Sequence, residues 1–164
     1  MAHELLGSVD GTGLKVGLLV AQFNETITSR LLAGAREALI RYGVSEDAIT
    51  ILSVPGALEL PQAAQRMART GLWDALVTLG CVIKGETAHF EYVSGESARG
   101  VADVARAFDI PVMFGVLTTY DTDQAMARSG GVLGNRGFDW ALAAIKMATL
   151  YRQLDQETVK ELKA

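Results

Sequence analysis

The sequence predicts an α/β domain in which a four-stranded parallel sheet is held between two layers of helices. Three observations carry this expectation: four short apolar runs rich in β-branched residues, helical periodicity in the segments between them, and a length of 164 residues. That length fits one domain able to bury a full core without disulfides or a structural metal. The runs are continuous instead of alternating, so each reads as a strand covered on both faces.

Residues 1–13 are Gly-rich and lack helical periodicity, which predicts an N-terminal arm or edge strand ahead of a single domain over 14–164. The first strand is KVGLLVA, 15–21. A helix over Thr26 to Tyr42 carries Ile27, Leu31, Ala35, Ala38 and Leu39 at helical spacing and stops at Gly43. TILSV, 50–54, is the second strand, followed by a helix from Pro61, a residue favoured in a first helical turn, to about Thr70. ALVTLGCVI, 75–83, is the third strand. The helix after it, His89 to Phe108, sets Val93, Ser97, Val101, Val104, Ala105 and Phe108 on one stripe and ends before the Ile110-Pro111 bond. The fourth strand is IPVMFGVLT, 110–118. Asp121 or Thr122 caps a short helix ending near Arg128, and the last helix runs from about Phe138 into the C-terminal tail. Right-handed crossovers join the strands. No repeat, low-complexity tract or interdomain linker interrupts the pattern.

Composition narrows the function. A single cysteine, Cys81, excludes an intramolecular disulfide and any multi-cysteine metal site, and it suits a reducing, cytoplasmic setting. The N-terminus MAHELLGSVDGTG lacks a basic region followed by an apolar core, and no apolar stretch reaches the roughly 20 residues of a membrane span. The expectation is a protein neither exported nor membrane-embedded. A net charge of −4, with Lys and Arg scattered, offers no basic field for nucleic acid. With 49% hydrophobic and 21% charged residues, the chain carries an apolar surplus that points to subunit contacts.

Open parallel sheets bind ligands at the carboxyl ends of their strands. Here the four exits are AQFN, PGALE, KGETAH and TTYDTDQ, each mixing small residues with polar or aromatic ones. Standard phosphate signatures are missing. Gly11 and Gly13 precede a strand instead of following one, and the KGET stretch from Lys84 inverts the Walker order. The His89-Phe-Glu91 triplet matches part of a zinc-deaminase signature, whose PCxxC half is impossible with one cysteine.

Several residues therefore carry two readings each. His89 is the only histidine outside the arm, and is either a proton carrier near neutral pH or an inert first-turn helix residue. Cys81 is a thiolate nucleophile paired with His89, or a small core residue. Glu59 accepts hydrogen bonds from ligand hydroxyls, or complements a helix dipole. Phe23 and Phe114 stack on a planar ring, or close the core. Arg128 clamps a phosphate, or sits at a helix C-terminus. GNRG, 134–137, is a turn into the last helix whose amides and Arg136 can hold an anion.

Taken together, AQFNETITSRLL, VPGALELP, GCVIKGETAHFEYV, FGVLTTYDTDQA and GNRGFDWALAAIKM closely resemble the lumazine synthase family of riboflavin biosynthesis, over nearly the whole chain and in order. The resemblance implies a flavodoxin-like three-layer sandwich assembling into pentamers, with each active site shared between neighbours and no metal or organic cofactor. It implies condensation of 5-amino-6-(D-ribitylamino)uracil with 3,4-dihydroxy-2-butanone 4-phosphate, giving 6,7-dimethyl-8-ribityllumazine, phosphate and water. By the same resemblance Phe23 stacks on the pyrimidine, and Ala57, Leu58 and Glu59 meet the ribityl chain and ring. Cys81, Val82 and Ile83 contact the uracil through backbone. Glu86 and Thr87 bind the butanone phosphate, Arg128 grips its phosphoryl group, Phe114 lines the pocket, and His89 shuttles protons. Phe114 and Arg128 belong to the neighbour's side. Glu86 stands where small residues are frequent in the family, Lys84 where Arg is usual, and Val132 where many members carry Lys. The compact connection around Val132 implies an icosahedral shell of pentamers. The rival readings are a non-catalytic flavin-binding or shell-forming relative and a cysteine hydrolase.

Overall fold

The computed structural model describes residues 2–163. Its element order is β1 (Val16–Ala21), α1 (Glu25–Arg41), β2 (Ile49–Val54), α2 (Leu60–Ala68), β3 (Ala75–Ile83), α3 (His89–Phe108), β4 (Val112–Thr119) and α4 (Thr122–Arg128). A small hairpin, β5 (Ser129–Gly131) and β6 (Gly134–Asn135), then leads into α5 (Arg136–Lys163). The four long strands pair in parallel in the order β2-β1-β3-β4, the α/β architecture of a flavodoxin-like three-layer sandwich.

The sheet's two faces follow from period-two alternation along β1. Val16, Leu18 and Val20 point into a core shared with α1 and α5, where Leu31, Leu39 and Ile145 are fully buried. Leu19 and Ala21 point the other way, against Leu60 and Ala64 of α2 and Val101 and Val104 of α3. Each fully buried Leu or Val contributes about 1.5–3 kcal/mol by leaving water.

The third strand and the helix after it span the residues the sequence predicts. Elsewhere the boundaries move for identifiable reasons. Pro111 has no N–H to give the ladder, so β4 starts at Val112, while the Pro111 carbonyl still accepts from the Leu76 N–H at 2.8 Å. The second helix ends at Ala68, and the chain closes through Thr70 and Gly71 with short-range bonds, Gly71 taking φ +69°. Asp121 caps α4, its Oδ1 accepting from the Gln124 N–H at 2.8 Å.

One expectation fails outright. The second strand was expected to be covered on both faces, yet β2 is the sheet edge and leaves Ile51 46% and Leu52 36% exposed. Among the described residues, Ile51 and Leu52 join neither buried core cluster, and their side chains face outward. Residues 2–13 contribute no strand; they run against α5, where the Ser8 N–H donates to Thr149 Oγ1 at 2.9 Å and Gln153 Nε2 donates to the Leu6 carbonyl at 2.8 Å. Among the described residues, no helix is long and apolar enough to cross a membrane.

Candidate functional site

Strand order reverses direction at β1: its connection to β2 leaves one way and the entry into β3 lies on the other. The crevice outside the carboxyl ends of β1 and β3 is therefore the switch point where this architecture takes ligands. A cavity of about 540 Å³ opens there. Three loops build it, those following β1, β2 and β3.

The loop after β1 supplies Phe23 and Asn24. Backbone bonds from Gln22 to Val54 and from Phe23 to Pro55 fasten this exit to that of β2 and leave Phe23 71% exposed over the cavity. Asn24 adopts the left-handed region at φ 60°, which asparagine tolerates better than most residues. Its Nδ2 donates to the Cys81 carbonyl at 2.8 Å, which fixes the β1 and β3 exits to one another.

The loop after β2 supplies Gly56, Ala57, Leu58 and Glu59 in one turn of 3₁₀ helix. Ala57 is buried, Leu58 is exposed, and Glu59 is half-buried at the entry of α2. Its carboxylate makes no cap hydrogen bond, and Oε2 lies over Gly56. At the start of α2 it is placed to complement the helix dipole without a capping bond, and the carboxylate also faces the cavity as its one acidic group.

The end of β3 supplies Cys81, Val82 and Ile83, and the turn beyond adds Gly85, Thr87 and His89. His89 opens α3 with an exposed imidazole, and its N–H meets Thr87 Oγ1 at 3.4 Å. Burial pushes the Cys81 thiol up to about 11, because a thiolate there would lose its hydration. That environment suits a core thiol and opposes a nucleophile. Iodoacetamide at pH 8 should therefore alkylate Cys81 in the folded protein on the order of 100-fold more slowly than free cysteine, because only about one thiol in a thousand is ionised. The rate should climb with pH toward 11. Mass spectrometry of the time course checks this, and modification at the free-cysteine rate would contradict the buried assignment.

Nine of the twelve expected site residues meet in this cavity. Glu86 lies in the same turn, exposed, and its side chain is not part of the wall. Phe114 and Arg128, which the family resemblance assigns to a neighbouring subunit's side of the site, lie outside this cavity. Phe114 is the third residue of β4, toward the sheet end opposite the cavity, half-buried against the α2–α3 core. Arg128 lines a second cavity of about 580 Å³, with Tyr120, Gln124, Arg136 and Trp140. The sequence reading missed Asn24, Phe90 and Val93 as wall residues. Phe90 and Val93 are signalled by the first two turns of α3, whose stripe runs on into the cavity; Asn24 has no such signal.

The two cavities share no lining residue and differ in charge. The main one holds Glu59 and His89 and no Lys or Arg; the second holds two arginines and no carboxylate in its wall. Between them stands a ridge in which Phe90 and Tyr120 lie 6.5 Å apart, ring to ring. Lys84 Nζ sits 5.6 Å over the Tyr120 ring and 4.0 Å from Glu91. Among the described residues, no group of three or more His, Cys, Asp or Glu is placed to hold a metal ion.

A family model described as 6,7-dimethyl-8-ribityllumazine synthase matches residues 13–152, from the end of the arm to within α5. The matched span contains every strand, both cavities and each of the twelve expected site residues. The chain therefore belongs to the 6,7-dimethyl-8-ribityllumazine synthase family, a family of transferases.

Proposed function

We propose that this chain catalyses the condensation of 5-amino-6-(D-ribitylamino)uracil with 3,4-dihydroxy-2-butanone 4-phosphate, releasing phosphate and water, in riboflavin biosynthesis. The observation that carries this reading is the division of chemistry between the two cavities. One offers a stacking ring, a carboxylate and an imidazole without a cation; the other offers two arginines. A planar, hydroxyl-rich amine fits the first, and a phosphorylated partner needs the second.

In the main cavity Phe23 stacks on the pyrimidine, the Cys81–Ile83 backbone meets its edge, and Ala57, Leu58 and Glu59 receive the ribityl chain. Thr87 and the Glu86 amide face the butanone phosphate, with the Glu86 carboxylate turned outward to avoid like-charge repulsion. The amine nitrogen attacks the ketone carbon, and loss of water leaves an imine. Elimination of phosphate leaves an enol that becomes a ketone, and the exocyclic nitrogen that carries the ribityl chain attacks that carbon and expels a second water to close the new ring. His89 carries the protons these steps exchange. Holding amine and carbonyl in one pose supplies much of the acceleration, because it turns a bimolecular step into an intramolecular one.

Phe114 and Arg128 act from an adjoining subunit, in a cytoplasmic pentamer that further assembles into a shell. Supplying the purified protein with both substrates and following the product's fluorescence tests the reading. Saturable formation at the rate of phosphate release is expected. Binding of the substrates with no product would replace the catalyst by a non-catalytic relative.

A further inference from the structure

One side chain ties the β5–β6 hairpin to α1. Asn135 Nδ2 donates to the Arg30 carbonyl at 2.9 Å, and its Oδ1 accepts from the Gly137 N–H at 2.9 Å and the Phe138 N–H at 3.3 Å. The amide fits because position 34 is glycine: a Cβ there would collide with the Asn135 side chain. Gly137 closes the same seam, since a Cβ on it would strike the Leu31 carbonyl. The first turn of α5 is thus locked against α1 at a separation that only these two glycines allow.

This seam lies between two arginines. Asn135 pairs with Ser129 across the hairpin, so the residue before Ser129 and the residue after Asn135 emerge side by side. Those residues are Arg128 and Arg136, and both line the second cavity. Arg128 is steered by its own Nη1 bond to the Gln124 carbonyl at 3.0 Å. Arg136 has an exposed contact with Asp139 Oδ2 at 3.3 Å, a pairing too weak to hold it, so its place depends on the backbone beneath it.

We propose that Asn135, seated in the Gly34 notch, is a positioning residue that sets Arg136 beside Arg128 so that both guanidiniums meet one phosphoryl group. This rests on reading the second cavity as the phosphate half of a shared site. Guanidinium–phosphate bonds are directional forks, so a displaced helix start loses one of them while leaving the reacting atoms untouched.

The test uses the full, assembled chain carrying Trp73→Phe, which leaves Trp140 in the second cavity as its remaining tryptophan. Inorganic phosphate is titrated at constant ionic strength against Trp140 emission, and KM and kcat are measured with both substrates. Two neutral variants separate positioning from folding. Asn135→Ser keeps a helix-capping oxygen but cannot reach the Arg30 carbonyl, and Gly34→Ala leaves Asn135 intact but fills its notch. Each should weaken phosphate and raise KM for the phosphorylated substrate about tenfold, with kcat within about twofold and KM for the amine unchanged. Folded variants whose phosphate affinity and KM stay within about twofold of the parent would overturn the proposal. Should one variant unfold, the other decides. A parent that does not respond to phosphate, and whose KM ignores Arg128→Ala, would overturn the half-site reading and this inference with it.

Discussion

Replacing His89 with alanine should lower kcat by about 10²- to 10⁴-fold, the ordinary range for losing a positioned acid–base group. That is about 3–5 kcal/mol of transition-state stabilisation. His89 is the one imidazole in the main cavity's wall, beside the Glu59 carboxylate and a Cys81 thiol held protonated by burial. The variant should nevertheless turn over measurably, because Phe23, the Cys81–Ile83 backbone and the Glu59 turn, which the proposed function assigns to the amine, still line the cavity. KM for either substrate should move little, as the imidazole is asked to move protons and not to bind. Steady-state rates compared across pH give the check: the part of the pH dependence owed to the imidazole should vanish in the variant. Profiles for parent and variant that superimpose would return His89 to the role of a first-turn helix residue.

What was legible in the sequence is what local physics decides. Ala75–Ile83 is a continuous apolar run and His89–Phe108 an unbroken stripe, so β3 and α3 fall on the expected residues. Together with the rule for open sheets they place Cys81, Val82, Ile83, Thr87 and His89 at one mouth. Features resting on distant partners stayed hidden. The last helix begins at Arg136 and not near Phe138, because the Asn135 oxygen captures two N–H groups and the Gly34 notch lies about a hundred residues away in the chain. Asn24 looks like a loop residue until its bond to Cys81, 57 positions away, is seen. The four strands read alike as buried, yet position in the sheet decides coverage, and β2 at the edge keeps Ile51 and Leu52 exposed. Cavity membership is of this kind too: no periodicity tells that Arg128 and Phe114 stand apart from His89, and only the family resemblance assigned them to a neighbour's side.

Mixed assemblies of His89→Ala and Arg128→Ala subunits should recover activity that neither variant has alone. The reasoning is geometric. The main cavity contains no Lys or Arg, and the chain's own arginine pair lies beyond the Phe90–Tyr120 ridge in a separate wall. If one subunit's main cavity works against the next subunit's second cavity, an interface is intact when the first keeps its imidazole and the second its guanidinium. In a random equal mixture within a cyclic ring, about one quarter of interfaces meet both conditions. Co-expression, or unfolding and joint reassembly, should therefore restore roughly a quarter of parent turnover, assayed with phosphorylated substrate below its KM, where loss of the Arg128 clamp is most visible. Pairing His89→Ala with Glu59→Ala supplies the control. Both damage the same cavity, so every main cavity in that mixture keeps one lesion and no interface is made whole. A His89 and Arg128 mixture whose rate is the plain average of its two parents would mean that the arginine serves its own chain's cavity, and the shared site would have to be abandoned.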